Sequence, residues 1–263
     1  MKIALIGYGK MGRMIEEAAL KRDHQITFVV DPIAPYSEAV SGAVIFRTLP
    51  LDAEKAGNPD LFIEFTQPQI APDNIKAVAA LGKPIVCGTT GWHEKLPELS
   101  AVVEKAGTAL LWSSNFSLGV NLFYRIAGYA AALFDPFAEY DVGGVEVHHR
   151  NKADSHSGTA KTLMEKVLPG MKRKKKVIWD LPKDEVLSDD AIHFASQRHG
   201  TVPGTHSLFF DSAADTIEIT HTARSREGFA LGAVIAAEWL GFGIKKNRQG
   251  IFTMDDVLKD LLP

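Results

Sequence analysis

The 263-residue chain has a single cysteine, Cys87, so no intrachain disulfide can form and a cysteine-rich metal site is excluded, a usage that fits a reducing cytoplasm. Long apolar runs are missing as well. The first, residues 3–6, is far shorter than a signal-peptide core, and no stretch approaches the ~20 residues of a membrane span. Neither sign of charge dominates: 29 Lys and Arg stand against 32 Asp and Glu, a net charge of -3. That leaves no global basic field for nucleic acid or an anionic membrane, so an anionic partner must be met locally. There is no internal repeat and no low-complexity linker. A composition of 46% hydrophobic and 23% charged residues argues against disorder, a collagen-like repeat or a coiled-coil rod. The expectation is a folded cytoplasmic enzyme or binding protein of one large domain or two modest ones.

What is present falls into two grammars. Up to residue 111, short apolar runs at 3–6, 26–30, 61–65, 85–87 and 109–112 read as buried strands. They alternate with amphipathic helix patterns at 11–20, 74–81 and 96–106, an order that predicts a parallel, doubly wound α/β sheet. A helix over 119–134 leads out of this pattern and stops at Asp135-Pro136. Beyond it, 140–149, 192–198, 205–211 and 216–222 read as strands, and turn-like links at 200–204 and 212–215 predict antiparallel neighbours. The second part is therefore a smaller α+β domain with a mostly antiparallel sheet and one inserted helix, 160–168. Helices at 229–240 and 254–262 close the chain.

Gly7, Gly9 and Gly12 form Gly-x-Gly-x-x-Gly directly after the first strand, in the loop that also holds Tyr8, Lys10 and Met11. The first glycine permits the tight turn, the second lets a pyrophosphate approach the backbone, and the third lets helix and strand pack closely. Asp31 ends the second strand, where its carboxylate can accept from the adenosine ribose hydroxyls. These residues point to NAD(P). Lys10 is either a phosphate contact or a solvated charge. Gly88-Thr89-Thr90-Gly91 and Ser113-Ser114-Asn115-Phe116 follow the fourth and fifth strands. They either face the nicotinamide or are ordinary turn chemistry. Asp31 would repel a 2′-phosphate and is followed by Pro32 and Ile33, so NADH is preferred, with NADPH possible if Arg47 swings in. Cys87 ends an apolar strand without a base or cation beside it in sequence, and reads as a buried structural thiol.

The densest polar cluster runs from Glu146 to Ala160. If the strand before it continues to Arg150, Glu146, His148 and Arg150 share one face, with His149 on the other. Lys152 supplies a cation and a proton donor, and Ser157-Gly158-Thr159 opens a helix whose free N–H groups make a carboxylate site. Glu146, His148, His149, Lys152, Asp154, Ser157, Gly158, Thr159 and Ala160 also carry a resemblance. They match the Glu-x-His-His-x-x-Lys-x-Asp and Ser-Gly-Thr-Ala signature of the dihydrodipicolinate (4-hydroxy-tetrahydrodipicolinate) reductases of lysine and diaminopimelate biosynthesis. The departure is His156, where that family normally has proline.

The resemblance implies hydride transfer from NAD(P)H to a small cyclic dicarboxylate. His148 and Lys152 would be the catalytic pair, while His149 and Ser157-Gly158-Thr159 hold the substrate carboxylates. It also implies a dinucleotide-binding domain over 1–117, a substrate-binding and oligomerisation domain over 118–226 and C-terminal helices over 227–263 packing back on the first, in a homotetramer. Another NAD(P)-dependent dehydrogenase of an amino-acid-derived carbonyl, or a non-catalytic NAD(H) sensor, would share the first domain without needing the signature. The basic run 172–176 reads as a solvated connection. His193, His199, His206 and His221 lack metal-ligand spacing, so no metal is expected.

Overall fold

Seven short strands of mostly branched apolar residues make one parallel sheet: β1 (Lys2–Ile6), β2 (Gln25–Val30), β3 (Val44–Phe46), β4 (Leu61–Glu64), β5 (Ile85–Cys87), β6 (Ala109–Trp112) and, from the far end of the chain, β12 (Gly250–Phe252). The computed structural model describes residues 1–35, 37, 39–50, 56–181, 183–244 and 248–262. Spatial order is β12-β6-β5-β4-β1-β2-β3, so the chain walks outward from β1 in one direction and then returns to build the other side. Successive residues of a strand face opposite ways. Ile3 and Leu5 enter one core with helices α1 (Lys10–Leu20) and α6 (Glu227–Ile244), and Ala4 and Ile6 enter a second with α2 (Ala71–Ala80) and α3 (Leu96–Lys105). A sheet buried on both faces needs strands with near-continuous apolar runs, as in residues 3–6, 28–30, 61–63 and 85–87. Pro72 and Pro97 sit in the first turns of α2 and α3, where a missing N–H costs nothing. Helix α7 (Met254–Leu261) starts from a Thr253–Asp256 capping box.

The chain divides into two compact units, Met1–Leu118 with Arg226–Pro263, and Gly119–Ser225. In the second, α4 (Leu118–Phe134) and α5 (Gly158–Val167) share one core with a five-stranded sheet made of β7 (Asp141–His148), β8 (Lys176–Ile178), β9 (Ala191–Arg198), β10 (Thr205–Asp211) and β11 (Thr216–Thr222), ordered β11-β10-β7-β9-β8. The antiparallel pairings, β10 with β11 and with β7, are the long ones; β7–β9 and β8–β9 are parallel.

Three expectations need correction. The small sheet has five strands rather than four, and β3, β8 and β12, at three residues each, are too short to show a period. The link over 200–204 does not join neighbours: β7 lies between β9 and β10, whereas the 212–215 turn does close the β10–β11 hairpin. The run 172–176 is only partly solvated, because Lys174 is 5% exposed, with its ammonium 2.5 Å from Asp141 and donating to the Asp189 carbonyl at 2.7 Å.

Candidate active site

In the first unit the loop after β1 is built around its glycines. Gly7 has φ +94°, and a Cβ there would lie 2.1 Å from the Phe65 carbonyl oxygen. The loops after β1 and β4 therefore touch where the strand order reverses, the usual ligand position of such sheets. A Cβ at Gly12 would lie 2.2 Å from the Gly7 oxygen, while one at Gly9 would meet nothing within 4 Å. Helix α1 follows Gly9 as its N-cap, without a side-chain cap and without an acidic residue in its first turn. Open space over Gly9 and uncapped amides suit a pyrophosphate, so the residues present fit a dinucleotide.

Asp31 is 8% exposed; its oxygens accept from the N–H groups of Tyr8 at 2.7 Å and Ile33 at 2.9 Å. Arg47 donates to the backbone oxygens of Asp31 and Ala34, which places a cation on this loop 16 residues later in sequence. Lys10 is exposed and Met11 half-buried. Tyr8 is buried, and its hydroxyl donates to Glu16, so both its polar groups are committed and neither is left for a phosphate. Burial and Glu16 together push that phenol up to about 12.

The next loops rest on a buried acid. Glu64, fully enclosed, accepts from the Thr66 hydroxyl, from Asn74 at 3.3 Å and from the Cys87 thiol at 3.0 Å. The Thr66 N–H donates to Thr89 Oγ1 at 2.7 Å, and Trp92 Nε1 to the Thr89 carbonyl at 2.6 Å. Burial, with Glu64 adding its charge, pushes the Cys87 thiol well up, so this is an inert core group. A Cβ at Gly88 would enter the Phe65 ring. Ser113, Asn115 and Ser117 bond among themselves, Phe116 is buried, and Ser114 and Thr90 are exposed.

In the second unit β7 is the central strand, and its register assembles the polar cluster. Glu146 stands opposite Ser196 of β9 and His206 of β10, and His148 opposite Arg198. The strand ends at His148, so Arg150 falls in the following turn and does not share its face. Glu146, 0% exposed, accepts from Arg198 and Ser196 at 2.8 Å, from the Ser157 N–H at 3.1 Å and from the Ser157 hydroxyl. Burial alone would raise its carboxyl; donors from His206, Ser157, Arg198 and Ser196 outweigh that and hold it well below the ordinary range. His148 is 7% exposed. Burial pushes its imidazole down to about 4, opposed by Glu146 and assisted by His206, Lys152 and Arg198, so it is neutral at pH 7. Its Nδ1 lies 3.5 Å from Glu146, and a Cβ at Gly204, φ +154°, would come within 3.0 Å of its Nε2.

Ser157 caps α5 by accepting from the Ala160 N–H at 3.0 Å, and its own N–H goes to Glu146. Of the amides at this helix start, those of Gly158 and Thr159 lie in the first turn, where a helix offers no internal acceptor. Tyr124 bonds to Thr159 and Thr162, and burial pushes its phenol up to about 12. Lys152 pairs with Asp154 at 2.7 Å, and the His149 carbonyl accepts from the Lys152 N–H. His156 stacks on Trp179, ring centroids 4.7 Å apart, and meets Ser196 Oγ at 2.7 Å. Glu146, His148 and His206 have ligand atoms within 4.8 Å of one another, close enough to share a cation. The hydrogen bonds to Glu146 account for the cluster without one.

Residues 1–116 match the family described as dihydrodipicolinate reductase, N-terminus, and residues 119–258 match dihydrodipicolinate reductase, C-terminus. The chain belongs to the dihydrodipicolinate reductase family. It is similar to the 4-hydroxy-tetrahydrodipicolinate reductases of Christiangramia forsetii, 40% identical over 261 residues and 99% of both chains, and of Archaeoglobus fulgidus, 35% identical over 266 residues, 98% of this chain and 100% of the other. The dipicolinate-bound dihydrodipicolinate reductase from Paenisporosarcina sp. TG-14 shares the fold, with a TM-score of 0.77 over 100% of this chain and 99% of that one at 20% identity. As a dihydrodipicolinate reductase family member the chain is an NAD(P)H-dependent oxidoreductase. Sequence reasoning missed Ser196, Arg198 and His206, which only the strand register brings to Glu146, and Glu64, whose neighbours Thr66 and Asn74 carry no spacing signal.

Proposed function

We propose that this chain reduces 4-hydroxy-tetrahydrodipicolinate, or its dehydrated form dihydrodipicolinate, to tetrahydrodipicolinate in lysine and diaminopimelate biosynthesis. The observation that carries this reading is the β7–α5 turn. It offers the N–H groups of Gly158 and Thr159 at the start of a ten-residue helix, a neutral buried His148 and the Lys152 ammonium, all within one unit. Those amides and His149 hold the substrate carboxylates. Bound NAD(P)H, cradled by residues 7–12 with the loops at 88–90 and 113–116, supplies the hydride. Reduction beside a conjugated C=N builds negative charge on the ring, which a nearby cation stabilises and a proton must quench. Lys152 supplies that proton. His148, neutral at pH 7, acts as a hydrogen-bonding partner rather than as a second cation.

NADH is preferred over NADPH, because the Asp31 carboxylate meets the 2′ position; Arg47 on the Asp31 carbonyl makes the preference modest. The protein is cytoplasmic and a homotetramer. The second reading rests on β11, an edge strand whose exposed residues include Ile217 and which self-association would cover. The deciding experiment follows loss of NADH absorbance with freshly generated dihydrodipicolinate. Turnover, with a higher kcat/KM for NADH than for NADPH, is expected, and no turnover removes the assignment. A monomeric mass by light scattering at micromolar concentration removes the tetramer.

A further inference from the structure

The donors around Glu146 fix the proton positions of its neighbours. An ionised carboxylate only accepts, so the direction of every bond to it is fixed. Ser157 has one hydroxyl proton and gives it to Glu146. Its oxygen must then accept from the Ala160 N–H at 3.0 Å, and His206 Nε2, 3.1 Å from that oxygen and 3.3 Å from Glu146, faces only acceptors. His206 therefore carries its proton on Nε2, and its buried Nδ1 is left without a partner among the described residues. On the other side, Ser196 gives its single proton to Glu146. The 2.7 Å contact with His156 therefore requires a proton on His156 Nδ1.

We infer that Glu146 is a positioning residue whose charge orders a hydrogen-bond chain from His156 through Ser196 and Ser157 to His206, and thereby fixes the turn that presents the Gly158 and Thr159 amides. This rests on the reading of that turn as the substrate-carboxylate site. Glu146→Gln keeps the shape and reverses the Ser157–His206 half of the chain, the Ser196 half keeping its direction because Ser196 and Arg198 meet the same oxygen. The amide oxygen must face Arg198, which can only donate, so the NH₂ faces Ser157 Oγ. Ser157 accepts there and turns its proton toward His206 Nε2, driving the His206 proton to Nδ1.

The test is a long-range ¹H–¹⁵N spectrum of ring-labelled histidines without substrate, His206 being assigned by loss of its signals in His206→Gln. Nε2–H in the native chain and Nδ1–H in Glu146→Gln are expected. The same variant is expected to raise KM for dihydrodipicolinate about tenfold, corresponding to a charged hydrogen bond's contribution, with a smaller change in kcat and none in KM for NADH. If Glu146→Gln does not fold, Ser196→Ala, which removes one donor, is expected to raise that KM about threefold. An Nδ1–H form of His206 in the native chain, or an unchanged KM in the folded variant, overturns the inference. Because the spectrum needs no substrate, the positioning role fails or stands separately from the proposed reaction, which only absence of turnover by the native chain would remove.

Discussion

Acidifying the protein from pH 6.5 to 5 is expected to cost stability, and His148 supplies a separable part of the loss. In the native chain burial holds this imidazole at about 4, Glu146 opposing and His206, Lys152 and Arg198 assisting, against an ordinary value of 6.5. Across that interval the unfolded state takes up a proton that the native state refuses, so stability falls as the pH falls. A full proton difference is worth about 1.4 kcal/mol per pH unit, and since the unfolded ring is only half charged at pH 6.5 the loss is about 1.6 kcal/mol by pH 5. His221, also held down by burial, acts in the same direction and must be separated. Glu146 acts in a lower window: its stabilisation is present above the ordinary carboxylate value and is lost as the pH falls below it. The comparison is therefore between the native chain and His148→Asn, each unfolded in urea at pH 6.5 and at pH 5. The native chain is expected to lose about 1.6 kcal/mol more than the variant, and NMR titration should show the His148 ring charging only near pH 4. Equal losses, or a ring that titrates near 6.5, would refute the reasoning.

Other expectations follow from single residues. Lys152→Ala is expected to lower kcat by roughly 10² to 10⁴, while NADH affinity, measured by fluorescence titration, stays nearly unchanged; a collapse of NADH affinity at near-native kcat would make Lys152 a cofactor contact. Gly204→Ala puts a methyl group 3.0 Å from His148 Nε2 on a backbone of φ +154°. It is expected to cost about 1–3 kcal/mol and to lower kcat/KM, and a variant with native Tm and kcat/KM would contradict the packing argument. Cys87, fully buried with its thiol pushed up, is expected to ignore an aromatic disulfide reagent until the chain unfolds and then to react once per chain. Rapid labelling of the native protein would show that the β5 terminus is open.

Much of the parallel sheet was legible because its strands are buried on both faces. Runs such as residues 61–63 and 85–87 are apolar without interruption, and the glycine loop announces the first βα turn. In the second unit the face shared by Glu146 and His148 follows from period 2. The partners of that face do not, because Ser196 and His206 are 50 and 60 residues away and meet Glu146 through strand register alone. The parallel placement of β9 beside β7 had no local sign either, since a turn-like link at 200–204 says nothing about the strand lying between the two it joins. The basic run 172–176 misled for a related reason: Lys174 is buried because Asp141 and the Asp189 carbonyl are there to receive it, and neither is adjacent in sequence.

The first unit is assembled from both ends of the chain, and this sets an order of events during synthesis. Residues 1–118 leave the ribosome with the face that carries Ile3, Leu5 and Ile63 covered by α1 alone, because the α6 residues Ala233, Ala237 and Leu240 that share this core are encoded beyond Arg226. At about 5–20 residues per second the intervening hundred or so residues hold that surface open for roughly 5 to 20 s. The second unit is contiguous and has all its residues before the first does. A nascent chain stalled before residue 226 therefore presents a finished second unit beside an unclosed sheet, the species that a chaperone would bind or that would aggregate.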